Sequence, residues 1–505
     1  MCPLTRRRFN ALLAGAGTFV AVGGRPAHAA GPTPVEADLG AVEGSFRRLS
    51  GVQGSPWPIV EGDGVHTARY REHHIDWARF PQDCAPNTLT LGGIFPDAAA
   101  DPDDPASYRF GEIDQRLEAA REAGCAVLWQ ASYDLGPTDA WQGLNLGGRP
   151  PRDLERWCAV LARCLAHFSV GWTGGLHGAV QAVEFINEPT GLGGFGGRHL
   201  PELIPAFACF LDTVAAHNLA HPEAPVRAVG PGVPLCWSDW PAWEPRFTRL
   251  LAELRAGGRA LPVFSFHTYG DDTSPASNAR LARALRALLD AQGFEGTELW
   301  NTEWQGGGFL RDHLRIRGAT ANRATEADLR HYAAGLATYV LSCKLRWQGV
   351  VDGSFVYRAN QRAFPPGREL PVATLRPGLF FAPDGTVWPL AQQELLTWRL
   401  QQAAPLRCGT AHDDDRLLLA RVFRSEDSNT VAMLACNLHP VERSLVLRLR
   451  GLPQHRRIVG LTSSTLLGAG LVEEDLPLPG VDPHADPLAL QVPALASRLT
   501  IARLG

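Results

Sequence analysis

The sequence predicts a (β/α)8 barrel followed by a C-terminal β-sandwich. Between about Arg48 and Arg399, eight short apolar runs alternate with amphipathic helical patterns. After about Ala403 the pattern changes to short, partly alternating runs broken by Gly, Pro and Asp. At 505 residues, 45% of them hydrophobic, the chain is long enough to bury a large core. A doubly wound open sheet is the competing architecture. It usually needs fewer strands than the eight found here.

The first residues read as an address. Thr5-Arg6-Arg7-Arg8-Phe9 precedes the apolar run Ala11 to Val22, and Ala27-His28-Ala29 offers a small-x-small cleavage site. Residues 1–29 are therefore expected to be a twin-arginine-type signal, exporting the protein to the periplasm or beyond. The apolar run is too short to span a bilayer, so stable membrane insertion is not expected. Cleavage after Ala29 removes four Arg and no acid, leaving a more acidic chain.

The barrel is expected over residues 45–400. Its candidate strands are Arg48–Gln53, Ile75–Phe80, Ala126–Ala131, Ala182–Ile186, Arg227–Gly230, Val263–His267, Glu298–Thr302 and Gly353–Tyr357. Helical spacing separates them. Leu154, Trp157, Leu161, Leu165 and Phe168 share one face of Pro151–Phe168, with Pro151 in the first turn. Ile204, Phe207, Leu211 and Val214 repeat that spacing. Thr325-x-x-Asp328 resembles a capping box ahead of Leu329, Tyr332, Leu336, Tyr339 and Cys343.

The sandwich is expected over 401–505, with runs at Leu417–Phe423, Val431–Leu438, Ser444–Arg450 and Leu499–Ala502. Leu445, Leu447 and Leu449 alternate with Arg448 and Arg450, the pattern of a half-buried strand. The segment from 30 to 45 could add a strand to this unit.

Composition excludes several partner classes. The 48 basic and 52 acidic residues give a net charge of −4, and only Lys344 is a lysine. With no broad basic field, nucleic acid is not the expected partner. Ten cysteines include Cys2 in the leader, which leaves an odd number. No CxxC pair occurs, so a zinc ribbon is not expected, and His73-His74 lacks HExxH spacing. Cys158, Cys164, Cys209 and Cys343 lie in helical patterns and are expected as small core residues, with few disulfides. The Gly-rich stretch Gly191–Gly197 lacks the Walker Lys and Ser/Thr, so it reads as a rim rather than a phosphate cradle.

In such a barrel the C-terminal strand ends share one mouth. Asn187-Glu188-Pro189 ends strand four and Thr302-Glu303-Trp304 ends strand seven, which sends two carboxylates toward each other. Opposed carboxylates suit glycosidic cleavage. One protonates the leaving oxygen; the other attacks the anomeric carbon or activates water. A separation of about 5–5.5 Å gives retention, and about 6.5–9.5 Å inversion.

These residues resemble the retaining "4/7" barrels of glycoside hydrolase clan A. Within it the chain is most similar to family 39, which includes β-xylosidases and α-L-iduronidases. Arg79 in Ala78-Arg79-Phe80 matches that family's strand-two arginine, and Phe266-His267-Thr268-Tyr269 its strand-six His-x-Tyr. Pro377-Gly378-Leu379-Phe380, then Gly385 and Pro389, matches the stretch leaving the barrel. The likeness spans roughly residues 45–400, and a following β-sandwich is usual in the family.

The resemblance implies a retaining hydrolase of β-linked oligo- or polysaccharide. Glu188 would be the acid/base and Glu303 the nucleophile. Asn187 would bind the sugar 2-hydroxyl. Arg79 would hold Glu303 ionised, Tyr269 would donate to Glu303, and His267 would line the same subsite. Trp304 and Tyr357 are candidate sugar-stacking residues, among the aromatics Trp57, Trp129, Trp141, Trp237 and Trp240 near strand ends. No metal or organic cofactor is expected. The chain departs from the pattern at Ile186, at Pro81-Gln82 and at Tyr357-Arg358, all beside the sugar site. Endo and exo action stay open, as do the sugar, the linkage and the oligomeric state. The rival reading from another class is a carbohydrate-binding protein with weak or lost turnover; a metal-dependent hydrolase is a third.

Overall fold

The computed structural model describes residues 31–56, 65–80, 89–131, 135, 151–189, 200–268, 274–306, 323–324, 326–357, 359, 370–371, 380–382, 385–409, 412–413, 417–452, 456–467, 470–476 and 487–505. The leader, Trp57, Trp141, Gly191–Gly197, Tyr269, Thr325 and Pro377-Gly378-Leu379 lie outside these, as do Pro81, Gln82 and Arg358.

Eight strands close into a parallel barrel. In chain order they are Gly51–Gln53, Trp77–Phe80, Ala126–Gln130, Ala182–Glu184, Arg227–Pro234, Val263–Thr268, Glu298–Trp304 and Gly353–Tyr357. They are called strands one to eight below. Strand eight closes the ring on strand one, pairing Phe355 with Gly51 and Tyr357 with Gln53. Leu128, Ala182, Val229, Val263, Trp300 and Phe355 fill the interior as one cluster, a packed layer below the mouth.

Two strands begin later than the sequence pattern suggests. Leu49 and His74 hold φ angles of 52° and 53°. A non-glycine residue in that region turns the chain, so strands one and two start at Gly51 and Trp77 instead of Arg48 and Ile75. The expected helix from Pro151 also shifts, to Leu154–Val170. Asp153 is its cap, its side chain accepting from the Arg156 N–H, so Pro151 stands before the first turn.

The C-terminal unit is built of two sheets. Thr33–Asp38 runs parallel to Arg443–Arg450, which pairs antiparallel with Leu488–Val492. Facing it, Val42–Ser45, Leu406–Cys408, Leu418–Arg424, Thr430–Asn437, Ala496–Leu504, Ile458–Leu467 and Gly470–Asp475 are ordered across the second sheet. Leu445, Leu447 and Leu449 point into the shared core with Val35, Met433 and Leu490, while Arg448 and Arg450 are exposed.

Helices Glu326–Arg346 and Pro389–Ala403 pack against each other and against this sheet. Between them Lys344 pairs with Glu394, both side chains at most 1% exposed. Burial pushes the Lys344 ammonium below its ordinary value, and the Glu394 carboxylate offsets part of that.

The cysteine expectation is corrected in one place. Cys158 and Cys209 form a disulfide between helices Leu154–Val170 and Leu200–Ala220. Helical spacing within one segment cannot show that two outer helices bring their cysteines together. Cys164 and Cys343 are free and buried, as core residues should be.

Candidate functional site

The site grows from alternation along the strands. Side chains two residues apart share a face, so the interior layer of Trp77, Leu128, Ala182, Val263, Trp300 and Phe355 is followed, one step nearer the mouth, by Arg79, Gln130, Glu184, Ser265, Thr302 and Tyr357. This second layer is polar apart from Tyr357's ring.

Arg79 is its centre. Its Nε donates to Glu184 Oε2 at 2.7 Å, and Nη2 lies 2.6 Å from the same oxygen. Nη1 donates to Glu303 Oε2 at 3.0 Å and Nη2 to Asn187 Oδ1 at 3.1 Å. Gln130 Nε2 also donates to Asn187 Oδ1, at 3.1 Å. Burial would push the guanidinium down, but Glu184 and Glu303 outweigh that and hold it above its ordinary value.

Glu303 reaches the cluster through a β-bulge. Phe266 pairs with Asn301, yet the next residue, His267, pairs with Glu303, so Thr302 is the extra residue on strand seven. Both Thr302 and Glu303 then face the interior: Thr302 Oγ1 donates to Glu184 Oε1 at 2.6 Å, and Glu303 meets Arg79.

Glu188 reaches it through a strained turn. Its φ is 44°, in the left-handed region that a glutamate rarely adopts. Its N–H donates to the Gly232 carbonyl at 3.1 Å. Gly232 sits at φ +69°, and a Cβ there would lie 3.0 Å from the Ile186 carbonyl and 3.4 Å from Glu184 Oε1. Glycine is needed for both reasons. The turn leaves the Glu188 side chain 31% exposed, while that of Glu303 is 4% exposed. His267 joins them, its Nδ1 lying 3.1 Å from Glu188 Oε1 and 3.9 Å from Glu303 Oε2.

Ligand atoms of Glu188, His267 and Glu303 all lie within 4.8 Å of one another. One carboxylate oxygen of Glu188 and one of Glu303 thus lie close enough for both groups to reach a single glycosidic bond. By donor type the trio could also hold a divalent cation. Glu303 Oε2, however, already accepts from the Arg79 guanidinium, which supplies positive charge at that point.

Arg79, Asn187, Glu188, His267 and Glu303 are therefore brought together. Tyr357 follows Phe355 on the inner face of strand eight, 6% exposed. Trp304 is not presented to the mouth as a stacking ring. It is fully buried, donates from Nε1 to Ser354 Oγ at 2.8 Å, and meets Trp347 edge-on with centroids 4.5 Å apart. The bulge explains the difference, since it turns Glu303 inward and Trp304 into the layer behind. Trp129 is likewise buried, its indole N–H on the Leu89 carbonyl. Trp237 is 37% exposed, with Arg280 over its ring, and Trp240 is buried.

One carboxylate went unnoticed in the sequence. Glu184 is fully buried and accepts from Ser265 Oγ at 2.9 Å as well as from Thr302 and Arg79. Burial would push it up, but Arg79 and the Thr302 hydroxyl hold it below its ordinary value. The available signal was a charge inside the apolar run Val183-Glu184-Phe185.

No family model matches the chain, and no curated protein matches it in sequence. Solved structures do match in fold. A glucosidase from Croceicoccus marinus superposes with a TM-score of 0.66 at 19% identity, over 94% of this chain and 99% of that one. A monomeric β-xylosidase from Caulobacter crescentus gives 0.59 at 17%, over 93% and 99%. An α-L-arabinofuranosidase from Thermotoga maritima gives 0.59 at 14%, over 93% and 99%. At such identities the likeness is one of fold.

Proposed function

We propose that this protein is a retaining glycoside hydrolase acting on β-linked oligo- or polysaccharide, most akin to family 39. The observation that carries the proposal is the approach of a carboxylate oxygen of Glu188 and one of Glu303 to within 4.8 Å at one barrel mouth. That the similar folds include a glucosidase, a β-xylosidase and an arabinofuranosidase supports it.

In this reading Glu303, set by Arg79, attacks the anomeric carbon as Glu188 gives its proton to the leaving oxygen. The glycosidic C–O bond breaks and a glycosyl ester forms on Glu303. Glu188, now a base, takes a proton from water, whose oxygen displaces Glu303 from the same carbon. In the same reading Asn187 binds the sugar 2-hydroxyl, and His267 holds Glu188. The leader over residues 1–29 would export the enzyme, with a barrel over 45–400 and a sandwich over 401–505.

The test compares wild type with Glu303→Ala on a panel of aryl glycosides, and labels wild type with a 2-fluoro sugar. The reading expects turnover that falls at least about a thousandfold on substitution, with the label on the peptide holding Glu303. Glycan binding without turnover across the panel would replace it with a lectin-like role. Activity lost to EDTA and regained with a divalent cation would replace it with a metal-dependent hydrolase.

A further inference from the structure

Glu184 is the buried carboxylate that the reaction scheme does not use. It is fully buried below the Glu188–Glu303 pair, so it cannot touch a sugar. Its contacts nevertheless reach both sides of Glu303. One oxygen takes the Nε and Nη2 edge of Arg79, at 2.7 and 2.6 Å, which leaves Nη1 to meet Glu303. The other takes the hydroxyls of Ser265 and Thr302, and Thr302 is the bulge residue immediately before Glu303. Gln130 adds a long contact, 3.4 Å.

Charge makes this more than a brace. The groups facing Glu184 and its neighbours are Arg79, His267, Glu303 and, through His267, Glu188. Arg79 is one cation between two carboxylates. Its attraction is divided between them, and the share that falls on Glu303 depends on Glu184 being charged.

We propose that Glu184 is a positioning residue for Glu303: it holds Arg79 by one edge, anchors the strand-seven bulge through Thr302, and takes up part of the arginine's charge so that Glu303 remains reactive. This rests on the hydrolase reading above. Without Glu184's charge, the whole guanidinium would bear on Glu303. A carboxylate so paired stays ionised to lower pH and attacks less readily.

The test is the pH dependence of kcat/KM on an activated aryl glycoside for wild type, Glu184→Gln and Glu184→Asp, with folding followed by circular dichroism. Glu184→Gln is expected to lower kcat by about 10- to 100-fold with little change in KM, and to move the acid limb down by about one pH unit. A merely structural loss would lower activity without moving that limb, and this result would overturn the proposal. Glu184→Asp keeps the charge and shortens the reach. It is expected to keep the acid limb in place and lose about tenfold in kcat. Full activity in Glu184→Asp would also overturn the proposal, whether or not the Gln variant folds. Wild type inactive on every glycoside would fell the hydrolase reading and this inference together; active wild type with an unmoved limb in Glu184→Gln fells the inference alone.

Discussion

His267 Nδ1 lies 3.1 Å from Glu188 Oε1, while its Nε2 lies 3.5 Å from Nη2 of Arg79. A guanidinium only donates, so Nε2 presents its lone pair and the Nδ1 proton goes to Glu188. The imidazole therefore transmits the orientation of Arg79 to the opposite carboxylate. Asparagine at this position keeps a donor; alanine does not.

His267→Ala is accordingly expected to lower kcat/KM by about 10- to 100-fold. His267→Asn, which keeps a donor facing Glu188, should recover part of that loss. An Asn variant no more active than the Ala variant would contradict the assignment of the Nδ1 proton.

Gly232→Ala addresses the strained turn. An alanine at φ +69° costs about 1–2 kcal/mol in backbone strain, before the contact with the Ile186 carbonyl is counted. Because Glu188 hangs from the Gly232 carbonyl, kcat should fall along with the melting temperature. Unchanged melting with unchanged kcat would mean that the turn is looser than its geometry.

The disulfide closes a separation of 51 residues. Loop-closure entropy for such a loop is worth up to about 4 kcal/mol. Cys158→Ala/Cys209→Ala should unfold at lower denaturant concentration than the oxidised wild type. A reductant should bring wild type down to the variant and leave the variant unmoved.

The pair of Lys344 and Glu394 answers to a double substitution. Removing one partner leaves a buried charge uncompensated, so Lys344→Met is expected to cost about 3–5 kcal/mol in denaturant unfolding. Lys344→Met/Glu394→Leu should recover most of that loss. If the double variant were as unstable as the single one, packing rather than charge would govern this interface.

The barrel was legible because each of its eight strands is a short apolar run, and a parallel sheet covered on both faces needs that pattern. The strand starts were less so. Leu49 sits within one such run and His74 just ahead of another, and no local pattern marks either as a turn. The meeting of Glu188 with Glu303 could be anticipated from their places at strand ends. The bulge that puts Glu303 opposite His267 and carries Trp304 into the packing could not, since no local pattern marks the extra residue. Glu184 was hidden by its setting, for a charge within Val183-Glu184-Phe185 gains meaning only once Arg79 is known to face it. Pairings across long separations, such as Thr33–Asp38 with Arg443–Arg450 or Cys158 with Cys209, leave no local trace either.

Lys344 has a practical side. It is the chain's one lysine, and it is sealed between two helices with its ammonium on Glu394. Acylating reagents that seek ε-amines will find none on the native surface, and a dye or tether added by such chemistry will enter only through the α-amine. A pulse of reagent during denaturation would then mark opened molecules at a single position, which makes the native chain its own conformational clock.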